Sequence, residues 1–291
     1  MRYFPNIPGY IKDVYNRNQL RSMNRRFVKD VLAIKIADVK HIEFIPSVNP
    51  LVSIIIPIFN KWQFTYNCLK SITEHTAGIE YELIVVDNAS SDATSQLFEH
   101  IKGVSYIRNQ TNVGFARANN QAAKVAKGKY LLFLNNDTTV NSGWLNALIN
   151  ELEYNNQAGI VGGKLLYPNN TIQHAGIFFG TDRVPFHAWT RLKQDDSRVN
   201  QRITVPAVTG ACLMISRRNY LTVGGFDEQY INGLEDIDLC LKIQRRGQEI
   251  VYRPDCVVYH YESISSGRLK YAKQNTSLFF SRWRSKIEPN K

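Results

Sequence analysis

The chain has 291 residues, 44% of them hydrophobic and 21% charged, an ordinary globular balance that suits one large domain or two small ones. No apolar run approaches the roughly 20 residues of a membrane-spanning helix, and there is no repeat or low-complexity segment. The net charge of +11 points to anionic partners (nucleotide phosphates, nucleic acid or an acidic membrane surface) without choosing among them.

The first ten residues hold two prolines and no apolar leader segment, so a cytoplasmic location is expected, with contact at the inner face of a membrane as the further option. Residues 17–29 are rich in arginine, and Val28, Val31, Leu32, Ile36 and Val39 recur at helical spacing. One or two basic helices are therefore predicted over 1–49, ended by Pro46 and Pro50. Residues 51–59 form a β-branched apolar run between Pro50 and Asn60 and read as a buried strand. Pro57 has no N–H to donate, so pairing should loosen there. A helix follows over 62–74, with Phe64, Cys68, Leu69 and Ile72 inward.

A second strand over 81–86 runs into Asp87-Asn88-Ala89-Ser90-Ser91-Asp92, where Ser91 or Asp92 can cap a helix over 93–101. A third strand spans 104–108. A turn at 112–115 leads into a helix over 115–127, closed at Gly128. The fourth strand, 130–134, ends in Asn135-Asn136-Asp137. This β-α-β-α-β-α-β pattern predicts a parallel sheet flanked by helices. Right-handed crossovers place the carboxyl ends of its strands, carrying Asn60, Asp87 and Asp137, along one edge, where such sheets bind ligands.

The second half is less regular. It predicts a helix over 142–154, strands over 159–166 and 173–179, and a polar loop over 181–201 that holds His187. A strand over 204–216 is interrupted at Gly210. A turn at 224–228 precedes a helix over 235–246 capped by Gly247. Short strands at 249–252 and 256–260 flank Pro254-Asp255. The tail over 268–286 mixes basic and aromatic residues at helical spacing, which suits a docked helix or an interfacial anchor. Cys68, Cys212, Cys240 and Cys256 are scattered without a CxxC pair and read as reduced core residues.

Four motifs stand in order: Ile56-Pro57-Ile58-Phe59-Asn60, Val86-Asp87-Asn88-Ala89-Ser90-Ser91-Asp92, Leu134-Asn135-Asn136-Asp137, and Gly224-Gly225-Phe226-Asp227-Glu228 followed by Glu235-Asp236-Ile237-Asp238-Leu239. Together, over roughly residues 52–262, they resemble the family 2 inverting glycosyltransferases of the bacterial surface-polysaccharide and rhamnosyltransferase type. The resemblance implies an α/β GT-A fold, a mixed and mainly parallel sheet flanked by helices. It implies a transferase domain over 50–262, with a basic helical extension at 1–49 and a basic aromatic tail at 263–291.

The resemblance also implies roles. Asp87 would accept the N3–H of uracil or thymine, with Pro57, Phe59, Asn60 and Asn88 lining the base and ribose. Gly114, Arg117 and Asn120 would lie near the diphosphate. Asn135-Asn136-Asp137 matches the family's Asp-x-Asp motif, with Asn135 in place of its first aspartate. Asp137, Asn135 and His260 would then hold Mn²⁺ or Mg²⁺, with Asn136 beside the nucleotide. Asp236 would be the general base, with Glu235 as the alternative, and Asp238 structural. The implied partners are a UDP- or dTDP-linked sugar and a glycan or lipid-linked glycan acceptor, with peripheral membrane contact and no nucleic acid. A catalytically degenerate transferase acting as a basic glycan- or membrane-binding module is the competing expectation.

Overall fold

A computed structural model describes residues 26–261 and 268–289, so the arginine-rich stretch before residue 26 lies outside it. Residues 26–32 are helical and a 3-10 turn follows at Ile36–Asp38. The helix stops short of Val39 because the chain must extend to pair β1 (Ile42–Glu43) with β4 (Ile101–Lys102).

Between these lie β2 (Val52–Ile58), α1 (Trp62–His75), β3 (Tyr81–Asp87) and α2 (Thr94–Glu99). After β4 come β5 (Ser105–Arg108), α3 (Phe115–Val125), β6 (Tyr130–Leu134), β7 (Thr138–Val140) and α4 (Trp144–Tyr154). The second half adds β8 (Ala158–Leu166), β9 (Ile172–His174), β10 (Ile177–Phe179), β11 (Pro185–His187), β12 (Ile203–Thr204) and β13 (Cys212–Ser216). It closes with α5 (Arg217–Thr222), α6 (Glu235–Gln244), β14 (Glu249–His260) and α7 (Ala272–Trp283).

The central sheet runs β12-β14-β8-β13-β6-β2-β3-β5. Strands β5, β3, β2 and β6 are parallel neighbours, so the ends of β2, β3 and β6 share one edge. Strand β13 enters antiparallel between β6 and β8, which makes the sheet mixed. Beside Pro57 the pairing of β2 with β6 stops at Ile55, while pairing with β3 continues to Ile58 and Asp87. The strands alternate between two cores. Ile55, Leu131 and Phe133 face α3, α6 and α7, with Ala118, Leu239 and Phe279. Ile54, Ile56 and Leu132 face α1 and α4, with Leu69, Trp144 and Leu148. All four cysteines are buried and free.

Several boundaries differ from expectation, each for a tertiary reason. Helix α2 ends at Glu99 because Ile101 and Lys102 pair with β1. Gly128 is not a left-handed cap: it lets the chain cross β2, and a Cβ there would lie 2.5 Å from the Ser53 amide nitrogen. The single strand predicted over 173–179 is two, β9 and β10, broken at Gly176 with φ +111°. The predicted strand over 204–216 leaves only β12 and β13 as strand, separated by a buried stretch with Val205, Ala207 and Val208. The two short strands around Pro254 are one strand, β14, with a register shift between Arg253 and Val257. The polar 181–201 region contains β11 and a 3-10 turn at Ser197–Val199, with Val199 fully buried.

Helix α7 packs inward through Phe279 and Trp283. The Trp283 indole donates to Asp238 Oδ1 at 2.8 Å, and Arg282 pairs with Asp227 at 2.6 Å. The Asn275 side chain holds the backbone of Ile231 and Gly233. The C-terminal helix therefore braces the segment that leads into α6.

Candidate active site

Strand β2 ends in a left-handed turn, Asn60 at φ 56° and Lys61 at φ 59°. Asn60 clamps the neighbouring tip: its Oδ1 accepts from Ser91 N–H at 2.7 Å and Asp92 N–H at 3.3 Å, and its own N–H donates to Ser90 Oγ at 2.7 Å. Asp92 ties two helix starts, accepting from Thr94 N–H and from Trp62 N–H. Pro57 is half-buried, and Phe59, 38% exposed, is the apolar surface at this tip.

Asp87, in register with Ile58, is fully buried. Its Oδ1 accepts from Ser90 N–H at 2.8 Å, and its Oδ2 accepts from Tyr106 Oη at 2.6 Å and from the Arg108 guanidinium. Arg108 also donates to the Ser90 carbonyl at 2.8 Å. Burial, with the Asp87 contact, pushes the Tyr106 phenol up to about 12. The exposed group lying over Asp87 is thus Arg108. Sequence reading missed both partners; the signal was Tyr106-x-Arg108, two same-face positions ending the strand that pairs with β3. Asn88 is buried and joins the tip to the next helix, accepting from Asn109 Nδ2 at 3.0 Å and reaching the Gly114 carbonyl at 3.4 Å.

Gly114, at φ +85°, precedes α3, and Asn232 Oδ1 accepts from Phe115 N–H at 3.1 Å. Arg117 and Asn120 serve the glycine turn in this conformation. Arg117 pairs with Glu228 at 3.0 Å. Asn120 donates to the Phe226 carbonyl and to Glu228, and accepts from Tyr220 Oη and Phe226 N–H. A Cβ on Gly225 would lie 2.6 Å from Asn120 Oδ1, which explains the second glycine of the turn.

At the tip of β6, Asn136 donates to Thr65 Oγ1 on α1 at 3.0 Å. Asp137 Oδ1 lies 3.1 Å from His260 Nε2, and Asn135 Nδ2 lies 3.3 Å from the same nitrogen. Strand β7 brings these groups together by pairing Thr138 with His260 on β14. One carboxylate and one imidazole converge here beside the Asn135 amide, and the carboxylate oxygen suits Mn²⁺ or Mg²⁺. Among the described residues no three His, Cys, Asp or Glu side chains form such a cluster.

The Asn135 N–H donates to the Ala211 carbonyl at 3.0 Å, which ties this tip to the chain entering β13. One residue earlier, Gly210 N–H donates to Asp236 Oδ2 at 2.8 Å, and Ile237 N–H donates to Asp236 Oδ1 at 2.9 Å. Of the three acids in the first turn of α6, Asp236 alone is only half-buried. Glu235 is 6% exposed and accepts from Gly233 N–H at 2.6 Å. Asp238 is fully buried against Trp283 and Lys242. His174, on β9, is fully buried, with Nδ1 3.0 Å from His187 Nδ1. No described helix is long and apolar enough to cross a membrane.

Comparison with known proteins agrees with this architecture. The profile described as glycosyl transferase family 2 matches residues 53–223, and that described as the N-terminal domain of galactosyltransferase matches 191–266. The chain is 30% identical over 231 residues to the O-antigen biosynthesis protein RfbC of Myxococcus xanthus, covering 74% of this chain and 18% of that one. It is 25% identical over 209 residues to the N-acetylglucosaminyl-diphospho-decaprenol L-rhamnosyltransferase of Mycobacterium tuberculosis, covering 64% and 68%. An uncharacterized Sinorhizobium fredii protein, y4gI, is 35% identical over 75% of this chain, which spans a quarter of its length. The crystal structure of GalNAc-T7 with UDP, GalNAc and Mn²⁺ superposes with a TM-score of 0.61 at 17% identity, over 81% of this chain and 50% of that one.

Proposed function

The chain belongs to glycosyl transferase family 2, and we propose that it transfers a sugar, with inversion, from a UDP- or dTDP-linked donor to a hydroxyl of a glycan or lipid-linked glycan in bacterial surface-polysaccharide assembly. The observation that carries this reading is the tie from Asn135, through Ala211 and Gly210, to Asp236, which links the proposed cation ligands to the proposed base. Residues 50–262 form the transferase domain in this reading, flanked by 1–49 and 263–291.

The acceptor hydroxyl oxygen forms a bond to the anomeric carbon as the bond from that carbon to the diphosphate oxygen breaks on the opposite face. Asp236 takes the hydroxyl proton; Glu235, buried and bonded to its own turn, is the weaker candidate. Asp137, His260 and Asn135 would hold Mn²⁺ or Mg²⁺, which when bound acts as a Lewis acid toward the departing diphosphate. Arg108, with Asp87 beneath it, faces the base, with Phe59 and Pro57 as its apolar wall and Asn60 and Asn88 shaping the loop. Gly114 and the start of α3 lie toward the diphosphate, with Arg117 released from Glu228 to meet it. UDP and Mn²⁺ in a protein of the same fold support this assignment. The basic surface supports peripheral contact with an anionic membrane at the cytoplasmic face.

The test is calorimetric binding of UDP, dTDP, GDP and ADP, each with Mn²⁺ and with chelator. Mn²⁺-dependent binding of UDP or dTDP is expected. Binding of none, or equal binding with chelator, overturns the reading.

A further inference from the structure

Strand β9 pairs with β8 irregularly: Leu166 faces Ile172 and Leu165 faces His174, which leaves Gln173 as the extra residue of a bulge. A bulge re-aims a side chain that regular alternation would send elsewhere. Gln173 is 5% exposed and reaches across to β14. Both ends of its amide meet one residue. Nε2 donates to the His260 carbonyl at 3.1 Å, and Oε1 lies 2.6 Å from His260 Nδ1.

These two contacts determine the state of the ring. A backbone carbonyl only accepts, so the amide nitrogen of Gln173 must face it and the amide oxygen must face the imidazole. That oxygen also only accepts, so Nδ1 carries a hydrogen. A neutral ring then keeps its lone pair on Nε2, the nitrogen beside Asp137 Oδ1 and Asn135; the Asp137 carboxylate can only accept, so a proton or a cation must lie between it and Nε2.

We propose that Gln173 is a positioning residue for cation binding: it fixes the tautomer and rotation of His260 so that Nε2, with Asp137, is presented to a divalent metal ion. This rests on the metal reading above. A histidine ligand needs its second nitrogen anchored to an acceptor, and the loss of such an anchor weakens metal affinity about 10–100-fold. Two contacts from one amide anchor both the proton and the ring plane, which one acceptor does not.

The experiment uses the full chain labelled with ¹⁵N-histidine, together with Mn²⁺ titration followed by the electron paramagnetic resonance of free Mn²⁺. Gln173→Leu, Gln173→Glu, His260→Ala and the double variant Gln173→Leu/His260→Ala are compared, with His260→Ala assigning the ring signals. In the unmutated protein, His260 should carry a hydrogen on Nδ1 both with and without Mn²⁺. Gln173→Leu should shift it toward Nε2–H and weaken Mn²⁺ binding about 10–100-fold. Gln173→Glu, which keeps an acceptor for Nδ1–H, should stay within a few-fold of the unmutated affinity. Gln173→Leu should have no further effect once His260 is alanine.

An Nε2–H tautomer in the unmutated protein overturns the inference without reference to any variant. So does unchanged Mn²⁺ affinity in Gln173→Leu, or an equal loss in the His260→Ala background, which would mark a merely structural role. If His260→Ala binds Mn²⁺ as the unmutated protein does, the metal reading itself fails, and this role fails with it.

Discussion

Gly210 N–H donates to Asp236 Oδ2 across 2.8 Å, joining the chain that enters β13 to the first turn of α6. The next residue, Ala211, accepts from the N–H of Asn135. Three consecutive links therefore connect the proposed cation site to the proposed base: the Asn135–Ala211 hydrogen bond, the Gly210–Ala211 peptide bond and the Gly210–Asp236 hydrogen bond. The position of the proposed base is thus tied to the turn that enters β13.

The close approach depends on the absence of a side chain at residue 210. A Cβ there would stand 3.3 Å from Asp236 Cβ and 3.3 Å from Phe115 Cζ, so α6 must yield by a few tenths of an ångström. We expect Gly210→Ala to lower kcat about tenfold while donor KM stays within about twofold, as small misplacements of a catalytic group do. Asp236→Asn should lower kcat by about 10²–10⁴-fold and leave UDP binding intact. Steady-state kinetics with calorimetry separates the two effects. Unchanged kcat in Asp236→Asn would remove it from the role of base.

Arg108 is the charged partner of a carboxylate that has no exposed surface. Arg108→Met leaves Asp87 with Ser90 N–H and Tyr106 Oη only, and should lower the urea midpoint. UDP affinity should fall in parallel. Arg108→Lys should recover only part of both, because a single ammonium does not span Asp87 and the Ser90 carbonyl as the guanidinium fork does. Full recovery by lysine would show that charge alone matters at this tip.

Trp283 is 6% exposed and bonded to a buried carboxylate. Trp283→Ala should cost about 3–5 kcal/mol, as large-to-small core changes do. Trp283→Phe, which loses chiefly the indole hydrogen bond, should cost about 1 kcal/mol. A loss under 1 kcal/mol for alanine would mean that α7 contributes little to the core.

Burial, followed by repulsion from His187 and His260, holds the His174 imidazole well below its ordinary 6.5. The folded protein keeps it neutral while the unfolded chain takes up a proton near 6.5, so the unfolded state binds more protons as pH falls. Its contribution is full above about pH 6.5 and is lost below it, with a slope of up to about 1.4 kcal/mol per pH unit. Urea midpoints between pH 7.5 and 5 should fall, and His174→Leu should flatten that slope. Equal slopes would assign the dependence to another group.

The sequence by itself determined the alternation of strands and helices through residue 154, and the placing of Asp87 and Asp137 at parallel strand ends, because hydrophobic period and strand-end polarity are local properties. The same local logic placed Asp236 at a helix start. Roles that depend on register were not legible. Asn120 and Arg117 carry the same letters whether they face a phosphate or clamp the glycine turn, and only the packing of α3 against Phe226 and Glu228 reveals the clamp. Arg108 became a partner of Asp87 through the β3–β5 register. Gly210 came to face Asp236 through the antiparallel insertion of β13, and Gln173 came to face His260 through a one-residue bulge. Such contacts join residues 21 to 111 positions apart. Their energies exist only once the sheet has closed, so no local pattern in the chain records them.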